Sequence, residues 1–174
     1  MKQALVILLC GLSLISSAAS AQPQAPPQKL IIIRPVDSLG FLAPILVHVT
    51  GLTGEADSVL KNDLLFMGVV HKSLDEAQFI INANATTGRA EASVLEKATK
   101  GQVHTAAFTG SSQRAAVHAL SDSIAKALTV LPNIGIAQTK VTYKVEPSRG
   151  ISEVYIADFD GFGAQAVTQD KTIV

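Results

Sequence analysis

The chain has 174 residues, 48% of them hydrophobic and 16% charged, with 14 basic and 14 acidic side chains and one cysteine. This length supports one domain and a small second piece, and the hydrophobic fraction excludes disorder of the whole chain. The balanced charge excludes the electrostatic footprint that nucleic acid or a charged lipid surface would need.

Met1-Lys2 is a short basic start, Ala4 to Ile15 is an apolar run, and Ala19-Ser20-Ala21 has the small-residue pattern of a cleavage site. Residues 1–21 therefore read as a Sec-type secretory signal peptide cleaved before Gln22. The run is shorter than the ~20 residues that a membrane-spanning helix needs. Cys10 lies inside the signal, and Leu9 stands where a lipoprotein would need a small residue. The mature chain is expected to have no thiol, no disulfide and no cysteine metal site. Loss of Lys2 leaves 13 basic against 14 acidic residues, a net charge of −1.

Gln22 to Gln28 (QPQAPPQ) is a Pro/Gln-rich linker, extended because proline disfavours both helix and ladder. Leu30 to Ile33 is a run of four apolar, β-favouring residues. Phe41 to Val49 is a second strand, with Pro44 at its start or on an edge. Thr53 or Gly54 opens a helix whose first turn carries Glu55 and Asp57, favourable at the positive end. Ala56, Val59, Leu60, Leu64 and Met67 form its apolar stripe, and Gly68 can close it in the left-handed conformation. Val69 to Lys72 is short and strand-like. Ala77 to Asn84 reads as a central strand, Arg89 to Val94 alternates as a strand with one wet face, and Gln102 to Thr109 returns after a Lys100-Gly101 turn. Residues 77–109 thus form an antiparallel meander.

Ser111 to Leu131 is the longest amphipathic segment. Val117, Leu120, Ile124, Leu128 and Leu131 recur at spacings of three and four, with Arg114, His118, Ser121, Asp122, Lys126 and Thr129 mainly on the other side. Ser111 or Ser112 can cap its start, and Pro132 ends it. Ile136 to Val145 alternates at strand period. Two helices and about six strands give an α/β fold: a two-layer sandwich with a mixed, mostly antiparallel sheet. The connections do not alternate strictly βαβ, so a doubly wound nucleotide fold is not supported. Glu146 to Gly150 reads as a linker, Ser152 to Phe159 as a new strand, Asp160-Gly161 as a turn and Gln165 to Thr168 as a returning strand. Such a hairpin needs a surface to dock on.

Few residues suggest chemistry. His48, His71, His104 and His118 show no metal-ligand spacing, and there is no H-E-x-x-H, G-x-S-x-G or phosphate loop. No cofactor is expected. His118 and Asp122, four apart on a helix, read as a surface ion pair in preference to a carboxylate-oriented base. Asp158, Asp160 and Gly161 read as a turn, because Ile156 offers no oxygen ligand for a calcium loop. The pattern favours a binding or scaffold protein over an enzyme.

Arg114 to Ile124, followed by Lys126-Ala127-Leu128-Thr129, resembles the A-H-x-x-S-D-E-I-x-x-x-L-T stretch of the TolB family. Ile134 to Tyr143 is similar to that family's G-x-F-x-T-R-I-A-Y segment. Glu153 to Gly161, with Gln165 to Thr168, is similar to the opening of its first β-propeller blade, and Lys61 to Gly68 to its D-L-x-x-S-G helix end. Val47 to Thr50 replaces the family's P-F, Gln138-Thr139-Lys140 replaces T-R-I, and the S-P-x-W-S-P-D-G blade repeats are absent. The resemblance implies a signal peptide over 1–21, a linker over 22–28, a TolB N-terminal-like α/β domain over 29–145, and a linker with a truncated first propeller blade over 146–174. It also implies a periplasmic, non-enzymatic component of the Tol–Pal envelope system, acting in outer-membrane integrity, division and colicin import. Its partners would be TolA-like and Pal-like envelope proteins. The TolA-like contact would fall on Leu30, Ile31, Ile32 and Ile33 if they are presented as an added strand and not kept in a core. The alternatives are a secreted α/β ligand-binding domain or enzyme subunit, which a preformed apolar pocket with convergent polar groups would favour, or a truncated TolB-like product with partial function.

Overall fold

A computed structural model of the chain describes residues 42–129, 135–148 and 150–169. The expected signal peptide, the Pro/Gln-rich linker and the strand at Leu30 to Ile33 lie outside the described residues, as do Leu131 and Pro132.

Strand β1 (Ile45–Thr50) is followed by helix α1 (Gly54–Phe66), β2 (Val69–His71), β3 (Phe79–Thr86), β4 (Arg89–Glu96), β5 (Gln102–Thr109) and helix α2 (Gln113–Leu128). These strands make one sheet in the order β2-β1-β3-β4-β5. β1 runs parallel to β2 and to β3, whereas β3–β4 and β4–β5 are antiparallel. The expected meander is present, with β3 in the middle of the sheet as its apolar centre predicts.

Alternation decides which face is covered. Ile45, Val47 and Val49 of β1, Phe79, Ile81 and Ala83 of β3, and Ala90, Ala92 and Val94 of β4 are buried together with the apolar stripes of α1 and α2. The intervening residues Asn82 and Asn84 are exposed, as expected when two helices cover one face and leave the other to solvent. The α1 stripe is Ala56, Val59, Leu60 and Leu64, with Met67 half-buried, and Gly68 follows at φ +76°. In α2, Val117, Leu120, Ile124 and Leu128 are each at most 1% exposed. Ser112 caps α2, its Oγ accepting from the Ala115 N–H at 3.1 Å. Beside the sheet, Gly51 has φ +93°, and a Cβ there would lie 2.2 Å from the Ala83 carbonyl oxygen, so the turn after β1 requires glycine.

The second sheet comprises β6 (Lys140–Ser148), β7 (Ile151–Asp158) and β8 (Gln165–Ala166), antiparallel in the order β6-β7-β8. Three expectations change here. The strand after α2 starts at Lys140 and not at Ile136, because residues 136–139 form a turn in which the Thr139 N–H and hydroxyl both donate to the Ile136 carbonyl. That strand also pairs with β7 and not with the five-stranded sheet. Glu146 continues β6 instead of leaving it as a linker. The C-terminal hairpin is therefore the outer part of a three-stranded sheet.

Candidate functional site

The second sheet meets the α/β unit where the turn after β7 packs against α1 and α2. Asp160, in that turn, pairs with Arg114 of α2, and Arg114 also donates to Glu55 of α1 at 3.0 Å. The Arg114 guanidinium lies 4.1 Å from the centre of the Phe162 ring, a stacking arrangement worth roughly 0.5–2 kcal/mol. The turn holds its own shape: Gly161 N–H donates to the Asp158 carbonyl, Phe162 N–H to Asp160 Oδ1, and Gly161 adopts φ +85°. This agrees with reading Asp158 to Gly161 as a turn.

Phe159 of the same turn sits edge-on to Phe66 of α1 and to His118 of α2, each with ring centres 5.8 Å apart. His118 is buried. Its Nδ1 lies 2.8 Å from Oδ2 of Asp63, a residue of α1 with no exposed surface. The surface pair expected between His118 and Asp122 is not formed, because His118 and Ser121 face the core with Val117 and Leu120. The hydroxyl of Ser121 donates back to the Val117 carbonyl at 2.9 Å. Asp122 instead accepts from the Ala137 N–H at 2.9 Å and from the Gln138 side-chain amide at 3.1 Å. That grip holds the 136–139 turn on α2, and Gly135 fits beside it where a Cβ would lie 2.3 Å from the Asp122 carboxyl carbon.

Sequence reasoning missed Asp63, Arg114 and Phe159 as partners. A signal existed for Asp63, which falls on the stripe of Val59, Leu60, Leu64 and Met67. A carboxylate on an apolar stripe needs a buried partner.

The other histidines are scattered. His48 and His71 stack with ring centres 5.5 Å apart, and the His71 ring accepts from the Val49 N–H at 3.1 Å. His104 Nε2 lies 2.9 Å from the Ser123 hydroxyl. Burial pushes the imidazoles of His71 and His104 below their ordinary value; for His71, Lys61 and then His48 add to the effect and Asp57 opposes it. Among the described residues no group of three or more His, Asp, Glu or Cys side chains could hold a metal ion, and no helix is long and apolar enough to cross a membrane. Leu30, Ile31, Ile32 and Ile33, the expected contact residues, lie outside the described residues.

No family model matches this chain, and no curated protein matches it. Among solved structures it is similar to the crystal structure of TolB from Acinetobacter baumannii, with a TM-score of 0.61 and 17% identity over 79% of this chain. The match covers 40% of the TolB chain. The fold is TolB-like: an α/β unit followed by a three-stranded antiparallel sheet.

Proposed function

We propose that the mature chain is a periplasmic, non-enzymatic adaptor of the Tol–Pal type, acting through contact surfaces on other envelope proteins. The observation that carries this reading is the TolB-like fold, matched over 79% of the chain. The TolB-like motifs follow one another in the sequence in the same order, behind residues 1–21, which have the pattern of a signal peptide.

Two surfaces are assigned to partners. Leu30 to Ile33 would add a strand to a TolA-like protein, main-chain hydrogen bonds supplying affinity and alternate side chains supplying specificity. A Pal-like protein would dock on the face of the second sheet that carries Val141, Tyr143 and Tyr155, where Val141 and Tyr143 are exposed and Tyr143 stacks on Tyr155 with ring centres 5.9 Å apart. Exposed apolar and aromatic side chains on neighbouring strands are the usual material of such contacts. Through them the chain would serve outer-membrane integrity, constriction at division and colicin import.

Calorimetric titration of the mature chain with the host's TolA and Pal tests the assignment. Binding to both is expected, and deletion of Leu30 to Ile33 is expected to abolish the TolA titration while sparing the Pal one. Absence of heat with either protein, or a TolA affinity untouched by the deletion, would contradict it.

A further inference from the structure

Strand β6 ends the second sheet, with β7 on one side and no strand among the described residues on the other. Lys140 to Lys144 and Glu146 are exposed, and Val145 is half-buried. Two bonds fix the direction of its backbone groups. The Phe159 N–H donates to the Thr139 carbonyl at 3.1 Å, and the Val154 carbonyl turns away from β6 to accept from the Val167 N–H at 2.7 Å. In an antiparallel ladder these groups change side at every residue. Val141, Tyr143 and Val145 therefore turn theirs to β7, opposite Ala157, Tyr155 and Glu153. Lys140, Thr142, Lys144 and Glu146 turn theirs to the open edge. Such a row of unpaired backbone groups is a template for another strand.

The residues of β6 are complementary to the same strand run backwards. About a two-fold axis at Tyr143, Lys140 opposes the partner's Glu146, Val141 the partner's Val145, Thr142 the partner's Lys144, and Tyr143 its own copy. Opposite charges, β-branched pairs and aromatic pairs directly across a ladder are stabilising. Moving the axis one residue towards the N-terminus sets Lys140 against Lys144, and one residue the other way sets Lys144 against itself; like charges in that position are destabilising. Lys140 already reaches Asp158 at 2.6 Å, and Glu146 already accepts from the Gly150 N–H at 2.8 Å. An ammonium has three donors and a carboxylate about four acceptor sites, so both retain capacity for a partner. We infer that two copies of this chain associate through β6 in this register, joining their three-stranded sheets into one continuous antiparallel sheet. The stacked Tyr143 and Tyr155 of each copy then lie in one row across the seam. This association is independent of the envelope partners proposed above.

Sedimentation velocity of the mature chain over a concentration series reads the association, and a monomer–dimer equilibrium is expected. Thr142→Pro removes an N–H that faces the open edge, so it is expected to abolish the dimer while the thermal transition of the monomer is kept. Lys140→Glu and Glu146→Lys introduce like charges that the axis repeats at both ends of the seam. Each is expected to weaken self-association about tenfold or more. An equimolar mixture of these two variants is expected to regain it, because opposite charges then face each other at both ends. Disulfide formation reads the register. Tyr143→Cys lies opposite its own copy in the closer, non-hydrogen-bonded kind of pair and is expected to oxidise to a covalent dimer. Val141→Cys and Val145→Cys, each opposite the other position, are expected not to. A monomer at every concentration, the result if another segment of the same chain fills the edge, would overturn the inference. So would a dimer that Thr142→Pro leaves intact, a mixture that does not recover, or equal oxidation at the three cysteine positions.

Discussion

Asp63 has no contact with water, and only one of its carboxylate oxygens has a partner, the Nδ1 of His118. A polar pair of this kind is held by mutual need: either member left alone in the core is an uncompensated polar or charged group. Asp63→Leu or His118→Leu alone is expected to cost about 3 kcal/mol. The double replacement should cost clearly less than the sum, since it leaves neither member unpaired. Denaturant titrations of the four proteins measure the coupling, and strict additivity would contradict the account. The half-buried histidines set a pH dependence. Burial lowers the imidazoles of His104 and His71 in the folded chain from an ordinary 6.5. Between that lowered value and 6.5 the unfolded chain binds more protons than the folded one, so stability rises with pH across this window and falls as pH drops through it. The double variant His71→Gln/His104→Gln is expected to flatten the slope of stability against pH just below 6.5. A slope unchanged in that variant would assign the dependence to other groups.

At the scale of elements, α2 was the most legible part of the chain, because an apolar stripe at spacings of three and four has one physical reading. Ile124 has no exposed surface, so Ile124→Ala is expected to cost about 2–5 kcal/mol. Leu65 on α1 is 55% exposed, and Leu65→Ala should stay within about 0.5 kcal/mol. Equal losses in the two variants, measured by thermal denaturation, would mean that the stripe does not face a core. The strands were legible for the same reason, but the sheet each joins was not. Val141, Tyr143 and Val145 alternate correctly for β6, yet a period of two says nothing about which neighbour supplies the ladder. The start of β6 was obscured because Asp122, a distant carboxylate, takes the amides that would otherwise begin a strand at Ala137 and Gln138. The junction was the least legible part. His118 has Asp122 one turn away in sequence, but its partner is Asp63, 55 residues earlier. Only the position of Asp63 on an apolar stripe hinted at that.

At the scale of the whole molecule, Arg114 of α2 joins the two units, contacting Glu55 on α1 and Asp160 and the Phe162 ring in the turn after β7. Its side chain is 15% exposed and that of Asp160 is 7%, so the ion pair is shielded from water and its loss leaves a nearly buried carboxylate. Arg114→Ala is expected to lower the hydrogen-exchange protection of the β7 amides, Val154 to Ala157, while leaving β3 protected. Unaltered protection in β7 would mean that the second sheet is held by other contacts. Such a junction suits a protein that works by presenting two joined surfaces. Capture of the mature chain from live cells after periplasmic crosslinking decides whether it works as an envelope adaptor. TolA-like and Pal-like proteins are expected with the periplasmic fraction; recovery of the chain in the cytosol, or of neither partner after mild crosslinking, would contradict the adaptor reading.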